Sequence, residues 1–166
     1  MNWFTRENLF HFLREFIWLL LTAMATYAVL YPVVSKLDYT YTFVNAVFVF
    51  VALTYFRYCV ALRTVAYLRS SVVRFSLFTA NLVLFFYLMY NLQKLLVKLD
   101  NFYTEDLGFP RVILYDDLKR ELFSYMYTEI AFFGTASLVL LMALQVRLIV
   151  SYWQYYKHAA SRMLED

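Results

Sequence analysis

Glycine and proline are nearly missing from this chain: Gly108, Gly134, Pro32 and Pro110 are the only examples in 166 residues. So few breaking residues exclude glycine-rich phosphate loops and nucleophile elbows, and favour long uninterrupted segments. Cysteine occurs once, at Cys59, which rules out an internal disulfide and thiol-pair redox chemistry. Only His11 and His158 could offer imidazole, and neither stands opposite another ligand at haem or metal spacing, so no cofactor is expected. Charge is also scarce, at 16% of residues against about 25% in ordinary soluble domains. No acidic residue at all lies between Asp38 and Asp100.

What fills the chain instead is apolar. Hydrophobic residues make up 63%, against roughly 45–50% in soluble domains, and include 17 Phe and 16 Tyr. That leaves too little polar surface to cover a globule. The net charge of +3 is dispersed between apolar segments, which excludes a nucleic-acid footprint.

Four segments have the length and apolarity to cross a bilayer core of ~30 Å: residues 16–34, 41–62, 73–95 and 130–152. The first is longer than the 7–15 apolar residues of a secretory signal, so it is expected to be retained. Inside lipid, every backbone polar group must be satisfied within its segment, and the expectation is an all-α, four-helix membrane bundle forming a single domain over residues 1–166. The connection 99–128 is expected outside the membrane, with all its acids and with Glu129 at its edge. Short interfacial helices are predicted at the start, with Thr5 as a cap, and before the fourth span, with Asp116 or Asp117 as a cap.

Orientation follows the placement of Lys and Arg. With both termini in the cytoplasm, that side holds Arg6, Arg14, Arg57, Arg63, Arg69, Arg74, Arg147, Lys157 and Arg162, against Lys36, Lys94, Lys98, Arg111, Lys119 and Arg120 opposite. Tyrosines flank the spans on both sides, with Tyr31, Tyr41, Tyr90 and Tyr125 at the outer boundary and Tyr55, Tyr58 and Trp153 at the inner, the arrangement expected of interfacial belts.

The stretch "YFRYCVALRTVAYLRSSVVRF" carries Arg57, Arg63, Arg69 and Arg74. Separations of 6, 6 and 5 residues do not make the every-third-residue stripe of a voltage sensor. These arginines are read as a topological anchor that attracts anionic lipid headgroups or an acidic partner. Arg57 and Arg147 lie within one to two turns of the inner helix ends, where each can snorkel to the headgroups or pair with Glu15 at the foot of span one. Asn81 is expected to bond to another helix, and Ala131, Gly134, Thr135 and Ser137 to form a close-packing patch.

No Asp, Glu, Lys or His falls at the centre of a span, which removes the groups that proton relays use. The function expected is therefore that of a membrane accessory or scaffold subunit, partnered by the lipid bilayer and by other membrane proteins or copies of itself, without catalysis. A small oligomeric channel or transporter, with Asn45 and Asn81 as polar lining, is the second reading. An enzyme acting on lipid or quinone through Glu15, Arg57, Arg147 and a histidine is the third.

Overall fold

A computed structural model describes residues 6–36, 41–61, 71–100 and 117–163. It is all-α, with α1 over Arg6–Val34, α2 over Thr42–Ala61, α3 over Ser71–Asp100 and α4 over Asp117–Met163. Each contains a stretch long and apolar enough to span a membrane: Leu13–Val34, Thr42–Val60, Phe75–Leu99 and Glu121–Val150. The chain is a multi-pass membrane protein.

Helices α1, α3 and α4 outrun the spans read from the sequence. At ~1.5 Å per residue, the 47 residues of α4 extend roughly 70 Å, about twice the hydrocarbon core. The short helices expected at the start and before the fourth span are both present and are continuous with their spans. Residues 6–15 run into span one without a bend being needed, because no helix breaker precedes Pro32. Residues 117–129, placed in the outer connection by the sequence reading, are the first turns of α4. Thr5 and Asp116 lie outside the described residues.

Interhelical bonds fix the directions. Glu15 near the start of α1 meets Arg57 near the end of α2, so these helices are antiparallel. Asn45 and Cys59 of α2 meet Glu129 and the Leu140 carbonyl of α4 in the same order, so α2 and α4 run parallel. They also share the most extensive interface in the fold. Helix α3 packs antiparallel along α4 on one flank, and α1 leans on α2 from the other, touching α4 only lightly. Among the described residues no comparable interface joins α1 to α3.

The core follows from that arrangement. Leu88, Leu92, Leu95 and Leu99 recur every three or four residues on α3 and close against Met126, Ile130 and Leu141 of α4. Phe48 and Val51 of α2 and Val33 of α1 complete the cluster. Gly134 makes the α3–α4 approach possible: a Cβ there would collide with the Leu92 side chain. Where α3 ends and α2 begins, Lys98 Nζ sits 5.2 Å above the Tyr41 ring.

Helix α1 is packed through only part of its length. Thr26, Leu30 and Val33 are buried near its carboxyl end, while Phe16 through Leu21 are all exposed. Six consecutive exposed positions exceed one full turn, so residues 16–21 of α1 stand clear of the bundle on nearly every side.

Candidate functional site

Most polar groups at lipid depth are consumed locally. The hydroxyls of Thr22, Thr26, Thr79 and Thr128 donate to carbonyls four residues back, at 2.8–3.1 Å, and the Asn91 amide donates to the Tyr87 carbonyl at 2.8 Å. Such back-bonding satisfies the side chain without a partner helix and leaves little to line an aqueous path.

A second set ties helices together. Asn45, fully buried one turn into α2, donates through Nδ2 to Glu129 Oε2 on α4 at 2.9 Å. Tyr55 of α2 donates to the Asn81 carbonyl oxygen of α3, and Gln145 of α4 donates to the Phe78 backbone carbonyl of α3 at 2.9 Å. Near the start of α4 the Tyr125 hydroxyl donates to the Val29 carbonyl at 3.0 Å, linking α4 to α1. These bonds are spread along the bundle, one or two per level, and together they index all four helices. Glu129 Oε1 is buried and takes no hydrogen bond.

Glu129 corrects the sequence reading, which placed it with the acids of the outer connection. It is 5% exposed and lies inside the α2–α4 interface, within the apolar stretch of α4. The misplacement has a simple cause: an acid preceding "IAFFGTASLVLL" reads as the polar end of a span, and its partner stands 84 residues away. Tyr55, read from the sequence as part of the inner aromatic belt, turns its hydroxyl to Asn81 of α3.

The third feature is at the end of the molecule where α1 begins and α2 finishes. Arg57 Nη2 donates to Glu15 Oε1 at 2.7 Å, with both side chains mostly buried, and Arg14 Nη2 approaches the same oxygen at 3.9 Å. The Arg57 guanidinium also lies 5.0 Å from the Trp18 ring and 5.5 Å from that of Tyr58. Paired and stacked in this way, Arg57 is held inward. Arg147 is half-buried on α4 and does not join the pair, so the structure brings together Glu15 and Arg57 and leaves Arg147 apart.

Around the ion pair, a groove of about 610 Å³ lies between α1 and α2. Arg14, Trp18, Leu21, Thr22 and Ala25 line it from α1, and Leu53, Phe56, Arg57 and Val60 from α2. No signal in the sequence marks it, since its lining comes from two separate helices.

Among the other expected site residues, Asn81, Gly134 and Ser137 are buried at helix contacts, and Ala131 is half-buried. Thr135 departs from the expected patch. It faces outward and donates to the Ala131 and Phe132 carbonyls of its own helix, because one residue past Gly134 lies about 100° away from the packed seam. Arg63 and Arg69 lie outside the described residues, as do the side chains of Arg74, His11 and His158. Among the described residues no group of three His, Cys, Asp or Glu side chains converges to hold a metal ion.

Comparison with models of protein families, with curated proteins and with solved structures found no match for this chain.

Proposed function

We propose that this protein is an integral membrane accessory subunit, a scaffold that binds transmembrane helices of other membrane proteins or of further copies of itself and catalyses no reaction. One observation carries the reading. Ile17, Leu20, Met24, Tyr27 and Tyr31 of α1 are spaced 3, 4, 3 and 4 residues apart, and each is at least half exposed. That spacing is the heptad seam by which membrane and soluble helices interdigitate side chains. The stripe runs through most of the apolar length of α1 and points away from both α2 and the groove.

The polar interior supports the same reading over a channel. Asn45, Asn81 and Gln145, the residues a conduction path would need, are engaged in ties between helices of one molecule. For the enzyme reading, the acid and base best placed to act at the boundary, Glu15 and Arg57, are bonded to each other. In the orientation given by the Lys and Arg distribution, both termini lie on the cytoplasmic side of an inner or plasma membrane.

The test is site-specific photocrosslinking in native membranes from Leu20 and Met24, with the exposed Phe86 of α3 as a control. Discrete protein adducts from the two α1 positions, weaker from Phe86, are expected. Lipid adducts alone from every position, with recovery as a bare monomer from mild detergent, would overturn the proposal.

A further inference from the structure

We infer that one water molecule is bound where α2, α3 and α4 meet, accepting a hydrogen bond from Asn81 Nδ2 and donating to Gln145 Oε1 and to the Tyr55 hydroxyl oxygen. The inference is independent of the helix-binding role, because the site lies inside one molecule.

Two buried amides on facing helices are each half used. Asn81 receives the Tyr55 hydroxyl on its carbonyl oxygen, and Gln145 donates through Nε2 to the Phe78 carbonyl at 2.9 Å. The other ends, Asn81 Nδ2 and Gln145 Oε1, are buried and make no hydrogen bond among the described residues. Asn81 is 1% exposed and Gln145 8%, so both amides are shut inside the bundle. A buried amide end without a partner is costly, and a membrane span offers no bulk water to relieve it.

Position brings these ends together. Phe78 and Asn81 are three residues apart on α3 and so share a face, and Gln145 and Tyr55 reach these two positions from α4 and α2. All three side chains therefore meet within one turn of α3, roughly 5 Å of helix. A single water spans about that distance when it accepts on one side and donates on the other, at ~2.8–3.0 Å each.

The atoms choose the ligand. The site presents one N–H donor and two oxygen acceptors, Gln145 Oε1 and the hydroxyl oxygen of Tyr55, whose own proton is committed to Asn81. A metal cation is disfavoured by the N–H, and an anion by the two oxygens. A small neutral molecule that both donates and accepts satisfies all three, and the count matches the ~3 hydrogen bonds of a typical buried water. Access is short as well. Tyr55 lies five residues before Val60, Gln145 five before Val150 and Asn81 six after Phe75, all at the same end of the bundle. Water entering from that end travels roughly 8–9 Å.

The experiment uses the full chain, perdeuterated and labelled with nitrogen-15 in its Asn and Gln side-chain amides, in mild-detergent micelles. Rotating-frame Overhauser spectra should show a direct contact between water and the Asn81 amide protons, a signal identified by its loss in Asn81→Leu. The contact should fall several-fold in Gln145→Leu, which offers the water no acceptor, and should persist in Tyr55→Phe, where two of the three ligands remain. Circular dichroism identifies the variants that fold, and the parent spectrum decides by itself where they do not. A parent spectrum without water at Asn81, or with the Asn81 and Gln145 amides in direct contact instead, overturns the inference. So does a contact unaltered in folded Gln145→Leu, or one abolished in folded Tyr55→Phe, which would mark it as relayed through the hydroxyl proton.

Discussion

Replacing Asn45 by Val removes the one hydrogen bond made to Glu129 while nearly preserving side-chain volume. The bond spans 2.9 Å between α2 and α4, and both residues are buried. Losing it leaves a carboxyl inside the bundle with neither oxygen bonded, since Oε1 already lacks a partner. A buried polar group stripped of its partner costs about 1–3 kcal/mol. For a chain of this size that corresponds to a fall in Tm of roughly 2–12 °C. Glu129→Gln should cost about 1–3 kcal/mol, because the new amide still offers a carbonyl oxygen to Asn45 but sets its NH2 group where Oε1 has no partner. The double variant Asn45→Val with Glu129→Met replaces both partners by apolar groups and should recover most of the stability lost in Asn45→Val. Thermal and dodecyl-sulfate unfolding in mild detergent measure the parent, these three variants and Glu129→Met alone. If the double variant loses the sum of the Asn45→Val and Glu129→Met losses, the bond is not what couples these residues and the account of the α2–α4 interface is wrong.

Other substitutions test the remaining contacts. Gly134→Leu should force α3 from α4 at Leu92 and cost at least about 1–3 kcal/mol, whereas Gly134→Ala should cost less because the end of the Leu92 side chain can rotate; unfolding of the two variants compares them. Arg57→Ala should destabilise more than Glu15→Ala, because it loses the rings of Trp18 and Tyr58 as well as the ion pair; equal losses in unfolding would show that the stacking contributes nothing. Gln145→Leu should cost about 0.6–1.7 kcal/mol through the lost bond to the Phe78 carbonyl, read in the same assay. Neutralising Arg63, Arg69 and Arg74 together should weaken the orientation preference, seen as mixed labelling of terminal cysteines from the two sides of sealed vesicles; labelling identical to the parent would remove these residues as the anchor.

The spans were legible because transfer of a long apolar segment to lipid is a local property of sequence. The first three were located closely for that reason, and the fourth was begun too late because Glu121 and Glu129 interrupt its apolar character. Which face of each helix turns inward was far less legible. Lipid-facing Phe86 and Met89 are as apolar as core-facing Leu88 and Leu92, so hydrophobicity does not separate them. Polar residues carried more of that information: Asn81 was recognisable as a tie between helices, although Tyr55 as its partner was not. Glu15 and Arg57 could be matched since both sit near adjoining ends of an antiparallel pair. The groove beside them is lined from two helices and has no signature in either segment alone.

The parallel contact between α2 and α4 also constrains the order of assembly. During synthesis α2 enters the membrane long before α4 exists, and its principal neighbour arrives only after a third helix has crossed back. Asn45 must wait for a carboxyl 84 residues downstream, with the α1–α2 hairpin held in lipid meanwhile. A chain arrested before α4 therefore displays an amide without its carboxyl on an otherwise greasy helix. Membrane quality control can read such an amide as unfinished, so loss of α4 should shorten the lifetime of the whole chain and not merely remove one quarter of it.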